Sequence, residues 1–356
     1  MKILILANFD LGLYKFRKEL IENLLSLGHE VFISLPYGKL VDPLISLGCK
    51  FIETQVDRRG INPIKDFKLF LSYKKIIKKT NPDLVITYTI KPNIYGGFAA
   101  RLSKKQYAVN ITGLGTAFEN SGIVRLLVVN LYKFALKKAK VVFFENSSNR
   151  EKLVAFGCCK TEKTFVLNGA GVNTDVYSYQ TYPHNDCFKF LFIGRVMKEK
   201  GVDELFQAMR RLVSEGQKCI LDVVGPFEED YKKQLEQYES EGWLNYHGYQ
   251  EDVKPFIGDC DCFVLPSYHE GMANTNLECA SSGRPIITSN IPGCREAVVK
   301  GSGFLCEPKS IDSLCDAMRD MINADNREEM GKVGRNYMIC KFDKNKVVAN
   351  TIEHLI

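Results

Sequence analysis

The chain has 356 residues, of which 45% are apolar and 25% are charged. This ordinary globular composition excludes a disordered chain, a collagen-like fibre and an array of polar repeats. The net charge of +6 is unevenly distributed, because residues 1–180 carry 27 Lys and Arg against 14 Asp and Glu, whereas residues 181–356 carry 21 against 28. A basic half joined to an acidic half suggests two domains with different partners, and chance variation of two solvated surfaces is the alternative.

The sequence also indicates in which compartment the protein is located. No apolar run is long enough for a spanning helix, and the N-terminal stretch becomes polar too soon for a signal peptide. The twelve cysteines lack the spacing of a zinc site. We therefore expect free thiols in a reducing, cytoplasmic compartment.

The first half alternates strands and helices. Residues 2–7 form a continuous apolar run, which is typical of a strand buried on both faces of a parallel sheet. The further predicted strands are 30–35, 49–53, 83–87, 107–111 and 140–145, and the predicted helices are 14–27, 40–47, 64–79, 92–102 and 122–138. This alternation predicts an α/β domain with a doubly wound parallel sheet over residues 1–168.

The pattern then restarts. Residues 169–187 are polar and without a clear period, so they are predicted to be a linker. The predicted strands of a second domain, 188–339, are 188–193, 219–224, 244–246, 261–265 and 285–288, and its predicted helices are 202–214, 228–240, 251–257, 275–282 and 311–322. A C-terminal helix at about 340–356 is expected to pack back onto the first domain. Two Rossmann-like halves facing across a cleft are predicted, and ligands of such sheets bind beyond the carboxyl ends of the strands.

The common nucleotide fingerprints are missing from this sequence. Only one glycine, Gly12, follows the first strand closely, so the G-x-G-x-x-G pattern of dinucleotide dehydrogenases is not formed. No G-x-x-x-x-G-K-[ST] segment is present either, which argues against P-loop chemistry.

The second half instead offers a pair of cations on one predicted strand-to-helix loop. Arg195 follows the strand that ends at residue 193, and Lys200 comes just before the helix that begins at residue 202. Two cations on this loop suit a diphosphate, because charged hydrogen bonds are worth roughly 1.5–3 kcal/mol each. The alternative is a solvated loop in which Lys198 and Glu199 share the same surface.

A pair of carboxylates lies in the segment Ser-Tyr-His-Glu-Gly-Met-Ala-Asn-Thr-Asn-Leu-Glu. Glu270 belongs to the loop after the strand 261–265, and Glu278 belongs to the first turns of the next helix. Between them, Gly271 permits close approach of a ligand, and the free N–H groups at the helix start form an anion site. Carboxylates accept hydrogen bonds from sugar hydroxyls, although Glu278 can also be a carboxylate that stabilises the helix N-terminus.

These motifs resemble those of the retaining GT-B glycosyltransferases of family four, also called glycosyltransferase group 1. Glu270 and Glu278 match the family's E-x7-E signature, Leu265 to Gly271 is similar to its LPSxxEG segment, and Gly194-Arg195 with Lys200-Gly201 matches its diphosphate loop. The resemblance extends over essentially the whole chain. It is closest to bacterial enzymes that extend undecaprenyl-diphosphate-linked sugars.

The resemblance implies a GT-B fold with an acceptor domain followed by a donor domain. It implies that Arg195 and Lys200 bind the donor diphosphate, that Glu278 holds the ribose and that Glu270 aligns the sugar ring. The other donor-side residues that it implies are Gly12, Gly248, Tyr249, Gly271, Asn274, Thr275, Asn276 and Leu277, and those of the acceptor side are Lys91, Asn93, Asn110, Thr112 and Gly113. Many family members have a histidine where the fifth strand ends, but this chain has Asn110-Ile111-Thr112 there.

The reaction implied by the resemblance is a retaining transfer from a nucleotide-diphosphate sugar, favouring UDP, to a lipid-diphosphate-linked glycan, without a metal ion or another cofactor. In the family's front-face mechanism, the leaving diphosphate takes the acceptor proton while Arg195 and Lys200 stabilise its charge. A double displacement with Glu270 as nucleophile is the mechanistic alternative. The functional alternatives are a sugar-nucleotide epimerase of the same double fold and a nucleotide-sugar-binding protein without turnover.

The basic first half also suggests a membrane surface as a partner. The segments 66–79 and 123–138 mix lysines with aromatic and aliphatic residues, as interfacial helices do. The alternative for each segment is a core-packed helix with a basic solvated edge. Together with the charge of residues 1–180, they predict peripheral attachment to the inner leaflet of the cytoplasmic membrane. Nucleic acid is not predicted, because no recognisable binding module interleaves aromatic with basic residues.

Overall fold

A computed structural model describes residues 1–57, 60, 62–115, 118 and 122–356. These residues form two compact units, Met1–Ala170 with Asn345–Ile356, and Gly171–Lys344. All twelve cysteines are free thiols. In the part of the chain that is described, no helix combines the length and the apolar character that crossing a membrane requires.

The first unit is built on a parallel sheet of seven strands in the order β3-β2-β1-β4-β5-β6-β7. The strands are β1 (Lys2–Leu6), β2 (Glu30–Leu35), β3 (Lys50–Glu53), β4 (Leu84–Tyr88), β5 (Gln106–Ile111), β6 (Val141–Phe144) and β7 (Thr164–Val166). The chain winds outward in one direction from β1 and in the other from β4. Ligands of doubly wound sheets bind beside such a switch point.

Among the described residues before residue 171, six helices cover the two faces of this sheet. They are α1 (Asp10–Ser26), α2 (Val41–Ser46), α3 (Pro63–Thr80), α4 (Gly97–Leu102), α5 (Ile123–Leu136) and α6 (Ser147–Ala155), and a π-helical turn, Pro92–Gly96, precedes α4. Ile3 and Ile5 share one core with α1 and α2, whereas Leu4 and Leu6 share another with α3, α4 and α5. Alternate side chains of a strand point to opposite faces, so the sheet separates these two cores.

The second unit contains a parallel sheet of six strands in the order β10-β9-β8-β11-β12-β13. The strands are β8 (Phe188–Ile193), β9 (Cys219–Val224), β10 (Leu244–Gly248), β11 (Cys262–Leu265), β12 (Ile286–Ser289) and β13 (Gly303–Cys306). The helices are α7 (Val202–Ser214), α8 (Lys232–Ser240), α9 (Lys254–Asp259), α10 (Asn274–Ser281), α11 (Ile311–Asn323) and α12 (Arg327–Tyr337). The predicted pair of Rossmann-like parallel sheets is therefore confirmed.

The C-terminal helix α13 (Lys344–Leu355) belongs mainly to the first unit. Its side chains Val347, Val348 and Leu355 are buried in the core that contains Ile3 and Ile5. The Lys140 ammonium donates a hydrogen bond of 2.7 Å to the carbonyl of Leu355.

Residues 171–187, for which the sequence suggested a linker, are counted in the second unit. The buried Tyr182 hydroxyl donates to the carbonyl of Asp261 at 3.1 Å. The buried Arg284 guanidinium donates to the carbonyls of Gln180 and Thr181 at 3.0 and 2.9 Å. These bonds attach the segment to its own sheet.

Several elements differ from the sequence-based expectation. The short elements α6, β7, β13 and α12 were not predicted. The helix expected at 228–240 begins at Lys232, and the one expected at 251–257 is displaced to Lys254–Asp259. Pro255 lies in the first turn of α9, where its fixed φ and missing N–H are tolerated.

Candidate functional site

Two loops of the second unit meet at the carboxyl edge of its sheet. A 3₁₀ turn, Lys198–Lys200, follows β8, and residues 266–271 follow the neighbouring strand β11. The N–H of Tyr268 donates to the carbonyl of Glu199 at 3.0 Å and joins the two loops. Gly201 has a left-handed φ of 71°, and a Cβ at this position would overlap the carbonyl oxygen of Pro266. Only glycine allows this approach without strain.

The joined loops bring Lys200 and Glu270 into contact. The Lys200 ammonium donates to Oε1 of Glu270, and the Ser267 hydroxyl donates to the same oxygen at 2.8 Å. The two charged side chains are 18% and 14% exposed. Burial alone would raise the pKa of the Glu270 carboxyl, but the Lys200 charge and the hydrogen bonds from Lys200 and Ser267 outweigh it and lower that pKa. Glu270 is therefore an ionised carboxylate at neutral pH.

Arg195, the other predicted cation, has a different environment. Its side chain is 45% exposed and lies 3.4 Å from a carboxylate oxygen of Glu228, on the loop after β9. Exposed ion pairs of this kind contribute little stability. The guanidinium can therefore exchange Glu228 for an anionic ligand at small cost.

The start of α10 presents backbone donors beside this cluster. The N–H groups of Asn276 and Leu277 donate to the carbonyl of Ala273, at 3.0 and 3.4 Å. Those of Asn274 and Thr275 have no acceptor among the described residues. All four N–H groups were predicted to bind the diphosphate. Those of Asn276 and Leu277 are already bonded within the first turn of the helix, whereas those of Asn274 and Thr275 are not.

The side chains of Asn274 and Asn276 at the same helix start each have a buried oxygen without a hydrogen-bond partner among the described residues. Asn276 is fully buried and its amide donates to the Thr288 hydroxyl at 3.0 Å. Asn274 is half-buried, and its Oδ1, like that of Asn276, is inaccessible to solvent. Gly271 is half-buried in the loop that leads to this helix.

Glu278 lies one turn further along α10 and has a partner that the sequence analysis missed. The Tyr177 hydroxyl forms a hydrogen bond with its carboxylate, and burial together with the negative charge of Glu278 raises the pKa of Tyr177. The Tyr177 carbonyl accepts hydrogen bonds from Ser281 at 2.8 Å and from Arg335 at 3.2 Å, which hold this residue against α10. Tyr177 lies in a segment without periodicity, so no sequence pattern indicated the contact.

The predicted nucleobase region is at the edge strand β10. Gly248 ends this strand with φ of 64°, and its carbonyl accepts from the N–H of Gly225 at 2.7 Å. The following Tyr249 side chain is exposed. Nearby, Nε2 of His247 lies 2.7 Å from the Asp222 carboxylate.

The remaining predicted residues belong to the carboxyl edge of the first unit. Gly12 lies in the first turn of α1. Thr112 and Gly113 follow β5 and are half-buried. The Lys91 ammonium is 2.7 Å from the Asp66 carboxylate, which also accepts from the Tyr95 hydroxyl at 3.0 Å.

Asn93 and Asn110 are buried and bonded to protein groups. The Asn93 amide accepts from the Thr87 hydroxyl at 2.7 Å and donates to the carbonyl of Asn110 at 2.8 Å. The Asn110 amide donates to the carbonyl of Thr87 at 3.2 Å. These bonds connect the ends of β4 and β5 with the π-helical turn, so both amides support the shape of this edge.

No cluster of three or more His, Cys, Asp or Glu side chains suited to a metal ion occurs among the described residues.

Two family models match successive parts of the chain. The model described as glycosyl transferases group 1 matches residues 180–337, and the model described as glycosyl transferase 4-like matches residues 2–146. Residues 180–337 belong to the glycosyltransferase group 1 family, and the two matches together identify the chain as a glycosyltransferase. The predicted enzyme class, glycosyltransferase, is confirmed, and neither match supports the epimerase alternative.

Two curated transferases are similar to this chain over most of their length. One is the N,N'-diacetylbacillosaminyl-diphospho-undecaprenol alpha-1,3-N-acetylgalactosaminyltransferase of Campylobacter jejuni, 29% identical over 89% of this chain and 88% of the relative. Another is the UDP-Gal:alpha-D-GlcNAc-diphosphoundecaprenol alpha-1,3-galactosyltransferase of Escherichia coli, 28% identical over 80% of this chain and 78% of the relative.

A solved structure of HepE from Anabaena, in complex with UDP and glucose, superposes on this glycosyltransferase with a TM-score of 0.81. It is 18% identical and covers 100% of this chain and 99% of the other. The agreement supports the GT-B fold and, at this identity, the fold alone.

Proposed function

We propose that this glycosyltransferase moves a sugar from a UDP-sugar to a lipid-diphosphate-linked glycan with retention of configuration, in the synthesis of a surface polysaccharide or glycoconjugate. The observation that carries the proposal is the Lys200–Glu270 pair with Ser267, placed beside the free N–H groups of Asn274 and Thr275. It joins a cation, a carboxylate and an anion-binding helix start at one sheet edge. A sugar diphosphate has the complementary groups.

The names of the relatives support the substrate classes. The relatives from Campylobacter jejuni and Escherichia coli are named for acceptors linked to diphospho-undecaprenol, and the second is named for a UDP-sugar donor. The HepE structure contains UDP and glucose. The family resemblance adds retention and the uridine base.

In this proposal the donor spans the carboxyl edge of the second sheet. Arg195 and Lys200 bind the diphosphate together with the N–H groups of Asn274 and Thr275, and Glu278 accepts hydrogen bonds from the ribose. Both described hydrogen bonds to the Glu270 carboxylate go to Oε1, so Oε2 is left for sugar hydroxyls. Gly248 and Tyr249 lie beside the base.

The reaction requires the bond between the anomeric carbon and the diphosphate oxygen to break as an acceptor hydroxyl attacks from the same face. The proton of that hydroxyl passes to the departing diphosphate oxygen, which conserves atoms and charge. Arg195 and Lys200 stabilise the negative charge that develops there. Glu270 aligns the ring and remains ionised. These cations take the place of a divalent metal, so EDTA should leave the rate unchanged.

The first unit provides the acceptor side in this proposal. Lys91, Thr112 and Gly113 contact the acceptor, while Asn93 and Asn110 keep the ends of β4 and β5 in place. Gly12 lies at the first turn of α1, where the ring of Phe9 is so close that a Cβ would meet it at 2.7 Å.

Peripheral attachment to the cytoplasmic face of a membrane is the second part of the proposal. Large apolar side chains are exposed on α3, at the end of α4 and on α5: Ile64, Phe67, Leu71, Leu102, Val124, Leu126, Leu127 and Phe134. Lysines and arginines alternate with them along the same helices. An apolar surface mixed with cations is typical of helices that lie in a lipid interface.

The decisive experiment incubates the purified enzyme with a panel of nucleotide sugars and a short-chain diphosphate-linked glycan. NMR of the product should show the anomeric configuration of the donor. Product of inverted configuration would overturn retention, and hydrolysis or epimerisation without transfer would overturn the acceptor assignment.

Variants of the two glutamates test their separate roles. Glu278→Ala should weaken binding of UDP, because ribose contacts are made in the ground state as well as in the transition state. Glu270→Ala should lower kcat more than it weakens UDP binding. Arg195→Ala should lower kcat/KM by roughly 10²–10³, as loss of one preorganised donor does. Calorimetry with UDP separates these effects, and unchanged affinity in Glu278→Ala would overturn the ribose assignment.

A further inference from the structure

A cavity of about 540 Å³ lies in the first unit between α3 and the segment that connects α4 to β5. Four lysines line it: Lys74, Lys75 and Lys78 on α3, and Lys105 before β5. Leu71 and Leu102 provide apolar walls. The lining contains no acidic residue.

The positive charge of this cavity is not balanced by the protein. Within the described ranges, no carboxylate lies within ion-pair distance of Lys74, Lys75 or Lys78, whereas Lys65 of the same helix pairs with Asp57 at 3.1 Å. The Lys105 ammonium donates to Oδ1 of Asn81, a neutral partner, at 2.7 Å. Several like charges around one concave space repel each other, and a bound anion relieves that repulsion.

The cavity is at the amino edge of the sheet. Asn81 follows the end of α3 and precedes β4, and Ser103 and Lys105 precede β5. Substrates of doubly wound sheets bind at the opposite, carboxyl edge. The four lysines therefore lie at the edge opposite to the one assigned to the acceptor's diphosphate.

The surface beside the cavity indicates which anion this is. Ile64, Phe67 and Leu71 are 70%, 60% and 46% exposed, and spacings of three and four residues place them on one face of α3 that continues to Lys75 and Lys78. Leu102, on the other wall, is 60% exposed. An apolar strip that ends in a basic cavity matches a lipid surface, where acyl chains lie directly below phosphate groups.

We propose that this cavity binds the phosphate of an anionic phospholipid headgroup, with Leu71 and Leu102 inserted at the acyl boundary. The inference rests on the membrane attachment proposed above and adds a discrete headgroup site to it. A diffuse basic surface would attract the same membrane without preference for particular lysines. A discrete site and a diffuse surface therefore differ in how much each lysine of α3 contributes to vesicle affinity.

Matched lysine pairs on α3 separate the two cases. Lys75→Gln with Lys78→Gln removes two cavity charges, whereas Lys68→Gln with Lys79→Gln removes two exposed charges of the same helix that do not line the cavity. In sedimentation with phosphatidylglycerol vesicles, we expect the cavity pair to lose at least tenfold more affinity than the control pair. Equal losses would overturn the headgroup site. Circular dichroism and thermal unfolding should be unchanged in both pairs, because all four side chains are exposed.

A second arm distinguishes a lipid headgroup from a free phosphate. Inorganic phosphate at constant ionic strength should neither bind by calorimetry nor release the protein from vesicles. Phosphate binding that disappears in the Lys75→Gln, Lys78→Gln variant would assign the cavity to a soluble anion and overturn the lipid assignment.

Activity on a short-chain, water-soluble acceptor tests the proposed reaction separately from the headgroup site. Both variant pairs should retain wild-type rates on it, because the cavity is at the sheet edge opposite to the substrates. If the wild-type enzyme transfers sugar but the two variant pairs have equal vesicle affinity, only the headgroup site is refuted. If the wild-type protein has no transferase activity but the variant pairs differ in vesicle affinity as expected, only the proposed reaction is refuted.

Discussion

The Glu270 carboxylate is held ionised in a largely buried position by two donors on neighbouring loops. Lys200 and Ser267 both bond to Oε1, and their effect on the pKa exceeds the opposing effect of burial. Because the folded pKa is below the ordinary value of 4.5, ionisation of Glu270 contributes stability above that pH. The contribution is lost as the pH falls through the folded pKa.

Removal of the Lys200 charge should reverse this dependence. In Lys200→Met the burial of Glu270 is no longer compensated, so its pKa rises above the ordinary value and the carboxylate destabilises the fold at neutral pH. We expect a loss of about 3 kcal/mol in the free energy of unfolding at pH 7, as for a broken buried pair. The loss should shrink steadily as the pH is lowered toward 4. Denaturant unfolding as a function of pH measures it.

The control for this variant is Lys198→Met, on the same 3₁₀ turn. Lys198 is exposed, so its replacement should change the free energy of unfolding by less than about 0.5 kcal/mol at any pH. A constant difference between Lys200→Met and wild type from pH 7 to pH 4 would contradict the assignment of the effect to Glu270.

The Tyr177 hydroxyl forms a hydrogen bond with the carboxylate of Glu278, to which the ribose contact is assigned in the proposal. Tyr177→Phe removes one hydrogen bond to a charged group, which is worth about 1.5–3 kcal/mol. We expect the Kd for UDP to rise at least tenfold while kcat at saturating donor changes little, because the reacting groups are untouched. Calorimetry with UDP and steady-state kinetics measure the two effects.

Tyr179→Phe provides the matched comparison within the same segment. The Tyr179 hydroxyl is 3.4 Å from Glu328, away from Glu278, so its loss should leave UDP binding unchanged. Equal UDP affinity in Tyr177→Phe and wild type would show that the tyrosine only packs against α10.

At the scale of elements, the two site loops depend on a backbone contact between α7 and the end of β11. Gly201 caps α7 with a left-handed φ, and its α-carbon faces the carbonyl of Pro266. Gly216, after the other end of the same helix, also has a left-handed φ, of 85°, but no atom lies within 4 Å of a Cβ built there. The two glycines thus differ in their surroundings and share their backbone conformation.

Alanine substitutions at Gly201 and Gly216 separate the cost of the left-handed backbone conformation from the effect of the contact with Pro266. Gly216→Ala should cost about 1–2 kcal/mol for the left-handed conformation and leave activity intact. Gly201→Ala should cost more and lower kcat/KM strongly, because the added methyl displaces the turn that carries Lys200. Thermal unfolding and steady-state kinetics measure both, and equal behaviour of the two variants would refute the loop contact.

At the scale of the whole molecule, the chain crosses from the first unit to the second and returns in its last helix. Leu355 is buried in the core of the first unit although it is remote in sequence from the strands that it contacts. Leu355→Ala should destabilise the first unit by about 2–5 kcal/mol, as truncation of a buried leucine does.

Hydrogen exchange localises this effect. Amides of β1 and β4 should exchange faster in Leu355→Ala, while those of β8 and β11 keep their protection, because the second unit has its own core. Ile356→Ala is the control, since Ile356 is exposed and should change neither set. Equal acceleration in both sheets would show that the units unfold as one.

The sequence by itself determined the elements with a strong local signal. The bounds of β8, β9 and α7 agree with the prediction, because continuous apolar runs and a long amphipathic period define them without help from distant residues. The spacing of Glu270 and Glu278 indicated the family for a similar reason, since both lie on one loop-and-helix segment. The short elements α6 and α12 lack such a signal, and their contacts with neighbours decide their structure.

Only the tertiary structure decided which side chains meet. The bonds from Lys200 to Glu270 and from Tyr177 to Glu278 join segments that are far apart in the chain, and the lysine cavity needs α3 packed against the α4–β5 connection. Local sequence carries propensity and periodicity, which act over a few residues. Ion pairing and desolvation act through space, so the lowered pKa of Glu270 and the basic cavity exist only once the strands are placed in their sheet order.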